Sequence, residues 1–300
     1  LGALIAAVPA SAATHNLSIS LEDDGAVQSC DQLKIRFGDS DDPLPVARAE
    51  QGFTLARGAT PSLQIHLADS GGMSLSGWDR QEYGITACLA AGARDGDRAA
   101  GVLQQIGVAL DRGRMSVRGP DGEDWLVYVI VRVPEGAALD LESINGPIGL
   151  REVSGRIKAR AQNGPVSLSN CRGDVDVQVQ NGPLSIQAGG GRQRLRVENG
   201  PLAIALEGRR WEGEGIDARA ENGPVSLKFP DDYQSGVRLE MAEHSPLRCR
   251  SAGCRGWFGG DDDGLRRLDF GSSSPVIRVS AGNGPVDIKS AAPIRRSANI

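Results

Sequence analysis

The triplet Asn-Gly-Pro opens at Asn145, Asn163, Asn181 and Asn199, an interval of 18 residues each time, and again at wider spacing at Asn222 and Asn283. A fixed period with a turn signal in every copy is the mark of stacked units that share one core, because one such short unit cannot bury its own apolar face. Before each Asn the apolar residues alternate, as in Ile157, Ala159, Ala161 and Val175, Val177, Val179. After each Pro the alternation resumes, as in Val166 and Leu168 or Leu184 and Ile186. A period of two means strand, so each copy reads as strand, corner, strand. The expected fold is all-β: a single-stranded parallel β-helix, or β-solenoid, with coils of 18 residues, irregular N-terminal coils and one short helix.

The corner has specific chemistry. Asn tolerates the left-handed region, Gly relieves the restriction on a residue before Pro, and Pro fixes its own φ. Stacked at one register, Asn145, Asn163, Asn181, Asn199, Asn222 and Asn283 would form a structural corner ladder of hydrogen-bonded carboxamides rather than a grip for a sugar or an ion. The outward columns read as a solvated, salt-bridged face. Five residues before each Asn, Asp140, Lys158, Asp176, Arg194 and Asp217 alternate in sign, and three before it stand Glu142, Arg160, Gln178, Arg196 and Arg219. Four residues after each Asn the side chains are small: Gly149, Ser167, Ser185, Ala203 and Ser226, then Asp287. That smooth strip would receive another layer of the same chain, or a partner.

The apolar run Leu1–Val8 ends in Pro9-Ala10-Ser11-Ala12, a small-residue pattern that precedes signal-peptide cleavage. Residues 1–12 therefore read as a signal-peptide remnant, and the protein as exported, periplasmic or extracellular. No later stretch is long and apolar enough for a transmembrane segment. Cys249 with Cys254, and Cys30 with Cys88, are disulfide candidates that leave Cys171 unpaired. With three scattered His and no CxxC, no metal or other cofactor is expected. A net charge of −5 with dispersed Lys and Arg gives no stripe for nucleic acid, and 4% aromatic residues count against a sugar-stacking groove.

Residues 13–135 form irregular N-terminal β coils, 136–290 the repeat, and 291–300 a tail. Gly71-Gly72-Met73-Ser74-Leu75-Ser76 echoes Gly164-Pro165-Val166-Ser167-Leu168-Ser169 and suggests an early coil. Residues 97–105 suggest a helical turn or two, and 125–133 a strand apolar on both faces that must be covered on both. His244-Ser245-Pro246 stands where another Asn-Gly-Pro is due, within an insertion spanning 245–265. The acidic loop Asp261-Asp262-Asp263 lacks the ligand spacing and terminal Glu of an EF-hand.

An export signal, a strand ending Val131-Arg132-Val133-Pro134 and the repeated strand-Asn-Gly-strand units together resemble the bacterial "putative adhesin" family of β-strand-repeat proteins, akin to head GIN domains. The resemblance spans about residues 60–290. It implies an exported β-solenoid and carries over no catalytic residue. The expected function is non-catalytic: binding of an envelope protein or glycan, or a structural role in the envelope or extracellular space. The competing class is a β-helix polysaccharide lyase or glycoside hydrolase, which needs a clustered acid pair or a carboxylate-calcium-basic constellation. Recognition tends to fall where a repeat is broken, which singles out Trp257, Phe258, Asp261, Asp262 and Asp263, with Trp211 and Tyr233 as aromatic candidates whose competing role is to cap the core.

Overall fold

The computed structural model describes residues 18–21, 27–251, 265–271 and 275–291. Within them the chain is all-β apart from short 3-10 turns and one α-helix, Gly96–Leu103, whose first turn is capped by the Asp95 carboxylate accepting from the Arg98 amide at 2.7 Å. The expected helical turn is therefore present, shifted by a residue or two.

Two ladders carry the repeat. The strands before the corners, Ala137–Asn145, Ser154–Asn163, Arg172–Asn181, Arg192–Asn199 and Gly215–Asn222, pair in parallel with each Asn opposite the next. The strands after them, Ile148–Arg151, Val166–Ser169, Leu184–Gln187, Leu202–Ala205 and Val225–Pro230, form the second ladder in the same register. Inward side chains of both ladders make one continuous core in which Val175, Val177, Val179, Leu184 and Ile186 are all buried. A coil thus buries its apolar residues only against the coils above and below it.

The corner glycines are obligatory. Gly164 has φ +152°, and a Cβ on it would stand 2.4 Å from the carbonyl oxygen of Gly146 in the coil below. A second glycine column closes the other end of each coil: Gly155, Gly173 and Gly191 have φ between +82° and +125° and stack with similarly close backbone approaches. The 18-residue period holds there too.

The two sheets are mixed rather than purely parallel, a departure from the single parallel β-helix that the repeat suggests. The 16-residue strand Leu63–Trp78 bends to serve both ladders. The echo it carries is in register, with Met73 opposite Ile148. Beyond it the sheets turn antiparallel: Val46–Ala56 with Glu82–Gly92, Glu82–Gly92 with Asp124–Pro134, and Gly107–Asp111 with Arg114–Arg118. A short connection sets the direction of the last of these pairs. Arg112 and Gly113, at φ +47° and +83°, close a two-residue hairpin, which admits only an antiparallel partner. Asp124–Pro134 is covered on both faces as expected, Val127, Val129 and Val131 by the main core and Leu126, Tyr128 and Ile130 by a second core with Leu33, Ile35 and Phe37. The Cys30–Cys88 disulfide, with Cα atoms 5.5 Å apart, ties that second core together.

Spatial order departs from chain order at both ends. The Leu63–Trp78 coil lies between Asp124–Pro134 and Ile148–Arg151, although only 13 residues of chain separate those two strands. At the other end, Pro275–Asn283 with Val286–Ala291 is inserted between the coil of Gly215–Asn222 and that of Gly236–Ala242. The corner at His244–Pro246 therefore stacks on Asn283–Pro285, with Pro246 accepting from the Val286 amide at 2.8 Å, and not on Asn222–Pro224.

Candidate functional site

A groove of about 450 Å³ runs over the outer face of the first ladder across five coils. Its side chains come from two columns. Three residues before each corner stand Glu142, Arg160, Gln178, Arg196 and Arg219, and one residue before it stand Ile144, Gln162, Gln180, Glu198 and Glu221. The alternation that buries Ala161, Val179 and Val197 forces these neighbours outward, and the parallel register sets successive rungs about 4.8 Å apart. Apart from Ile144 at its first coil, the groove is consequently a periodic array of planar polar groups: guanidinium, carboxamide and carboxylate.

Internal pairing in the groove is loose. Arg160 lies 3.8 Å from Asp140 and Arg219 3.9 Å from Glu221, both in exposed or half-exposed settings where an ion pair stabilises by less than about 1 kcal/mol. Asp140 also faces His66 at 3.9 Å, and its Oδ1 is buried without a hydrogen bond. The tight pairs lie outside the groove. Arg192 makes a bidentate bond to Asp174 at 3.0 and 2.7 Å, and this holds the Asp174 carboxyl below its ordinary range. Arg238 does the same to Asp269, and Lys289 with Arg250 to Asp287.

The six corner asparagines stand in one exposed column. From Asn163 onward each Nδ2 donates to the Oδ1 below it: Asn163 to Asn145 at 3.1 Å, Asn181 to Asn163 at 3.0 Å, Asn199 to Asn181 at 3.2 Å, Asn222 to Asn199 at 3.2 Å and Asn283 to Asn222 at 3.1 Å. The column crosses the break in chain order without interruption. Its carboxamides are spent on one another, which makes them corner structure.

Trp211 and Tyr233, candidates as exposed aromatics, are buried at 8% and 7% exposure. The Trp211 ring spans the break in the 18-residue rhythm, its Nε1 donating to the Gly191 carbonyl at 2.9 Å and its amide donating to Ser235 Oγ at 2.9 Å. Tyr233 packs 6.2 Å from Phe229, and burial pushes its hydroxyl up to about 12. Both cap the core where coil length varies, so neither can face a ligand. Trp257, Phe258, Asp261, Asp262, Asp263 and Cys254 lie outside the described residues. Cys249 is bonded rather than free. Cys171 is a free thiol, fully buried, and burial pushes it up to about 11. The smooth strip is exposed at Ser167, Ser185 and Ala203, so no described segment lies over the middle coils; it is covered at the N-terminal end, where Ser74 is buried.

The groove falls on columns that the sequence presents as a solvated, salt-bridged face. The signal that distinguishes it is the recurrence of long Arg, Gln and Glu side chains at the two outward positions nearest the corner, broken only by Ile144. Among the described residues, no cluster of His, Cys, Asp and Glu could hold a metal ion, and no helix is long and apolar enough to cross a membrane.

No protein-family model and no curated protein matches the chain. Solved structures that are similar in part include the following two. One is a "putative cell adhesion protein" from Clostridium sporogenes, 10% identical, with a TM-score of 0.33 over 82% of this chain and 100% of that one. The other is a "putative adhesin" from Bacteroides fragilis, 11% identical, with a TM-score of 0.33 over 82% of this chain and 97% of that one.

Proposed function

We propose that this is an exported, non-catalytic binding protein of the cell envelope or extracellular space, a β-solenoid over residues 136–290 whose ladder face receives an extended ligand. The observation that carries this reading is the five-coil groove, in which planar polar groups recur at a fixed step and are only loosely paired with each other. An extended molecule with a repeat of its own can meet a polar side chain on each rung. Export is supported by the Cys30–Cys88 disulfide, which persists in an oxidising compartment.

The test is a screen of the mature chain against envelope extract and polysaccharides, run with the wild type, an Arg196→Ala/Gln178→Ala variant and a deletion of 255–264. Loss of binding in the groove variant alone is the expected result. Release of hydrolytic products from any polysaccharide would overturn the non-catalytic reading, and loss only in the deletion would move the site to the insertion.

A further inference from the structure

We infer that the groove is built for a neutral polysaccharide lying along the ladder, one sugar to each coil; this rests on the binding reading above and names its ligand class. The donor and acceptor inventory carries the argument. Arg160, Arg196 and Arg219 offer only donors, Glu142, Glu198 and Glu221 only acceptors, and the glutamines both. Three guanidinium charges against three carboxylate charges leave the groove without net charge.

A hydroxyl both donates and accepts, so a polyol satisfies every one of these groups. A polymer of phosphates or carboxylates satisfies the arginines but is opposed by a carboxylate at the first coil and two more at the last two. Like-charge contacts of that kind select against a partner as effectively as attraction selects for one. Planar guanidinium and carboxylate forks also present paired contact points, which suit the adjacent hydroxyls of a sugar ring. No aromatic lines the groove, so recognition here works through hydrogen bonds and not ring stacking.

Spacing separates a glycan from a peptide. An extended peptide presents same-face side chains every second residue, about 6.8 Å apart, which is already about 2 Å out of step with rungs about 4.8 Å apart at the first contact. A sugar ring in an extended β-linked chain advances by nearly one rung. A glycan can therefore set one sugar against each of the five coils, whereas the same-face side chains of a peptide cannot keep one contact per coil.

The experiment is calorimetric titration of the full chain with cello- and chito-oligosaccharides of increasing length, alongside polygalacturonate and heparin as acidic probes. For at least one neutral series, affinity should climb with each added sugar and level off at about five, the number of coils lining the groove. Gln178→Ala and Arg196→Ala, both at exposed positions that leave the core untouched, should each weaken binding ten-fold or more and keep the wild-type melting temperature. Gln178→Asn should retain more binding than Gln178→Ala. If neither neutral series binds, or an acidic probe binds more tightly through Arg196, the neutral class is overturned while the groove remains a binding face. If neutral oligosaccharides bind but neither substitution weakens them, the groove itself is the wrong surface and both readings fall.

Discussion

At the scale of single residues, the corner separates two roles that the triplet Asn-Gly-Pro runs together. Asn181 donates one side-chain hydrogen bond and accepts one, both at the exposed edge of the stack, so Asn181→Ala should cost about 1 kcal/mol. Gly182 has φ +150°, and a Cβ there would sit 2.4 Å from the Gly164 carbonyl oxygen, a backbone atom that cannot step aside. Gly182→Ala should therefore cost about 3 kcal/mol or more in urea denaturation. Equal losses for the two would mean that the stack does not require the close approach. The cysteines give a second check. In the native protein Cys171 should resist thiol reagents because it is fully buried, and in the denatured, non-reduced chain it should be the one thiol that reacts. Five labelled thiols would contradict an oxidising compartment.

Much of this chemistry is legible in the amino-acid sequence. Fixed spacing and turn-forming residues together place the asparagine column, and alternation places Val175, Val177 and Val179 in the core. Trp211 is not legible in the same way, because a large aromatic at a break in the repeat fits equally a ligand platform or a plug, and only its bonds to Gly191 and Ser235 decide. Gln193 is hidden for a related reason. It occupies an inward rung between Val175 and Ile216, and its side chain donates to the Cys171 carbonyl at 3.1 Å, a partner supplied by another coil.

At the scale of elements, the order of coils is the main result that sequence does not reveal. Gly236–Ala242 and Pro275–Asn283 alternate alike, with Val237, Leu239 and Met241 in one and Ile277, Val279 and Ala281 in the other. Either could have stacked on Gly215–Asn222, and the periodic pattern is blind to which one does. The antiparallel strand Leu265–Phe270 then covers the outer edge of Gly236–Ala242, the device by which a parallel stack avoids an open edge there. The insertion can be tested with engineered pairs. Arg219 is opposite Ser280, and Ser280 opposite Glu240, so Arg219 and Glu240 are two rungs apart. An Arg219→Cys/Ser280→Cys pair, with Cα atoms about 4.8 Å apart, should oxidise readily to a disulfide, whereas Arg219→Cys/Glu240→Cys, about 9.6 Å apart, should not. The opposite result would restore simple chain order.

At the scale of the whole molecule, the two outward faces differ in kind. The face of the second ladder is small and smooth at Ser167, Ser185 and Ala203, while that of the first carries the planar polar groups of the groove. Sequence exposes both columns of side chains but not the groove, because concavity arises from the lengths of neighbouring side chains on adjacent coils, which are far apart in the chain. If the first face is the one that binds, blocking it must matter and blocking the second must not. A bulky maleimide attached to a cysteine at either face separates the two: Gln178→Cys in the groove or Ser185→Cys on the smooth strip, with retention of each labelled protein measured on immobilised envelope polysaccharide. Label at position 178 should abolish retention and label at 185 leave it intact; retention that survives the label at 178 and is lost with the label at 185 would place binding on the smooth strip instead.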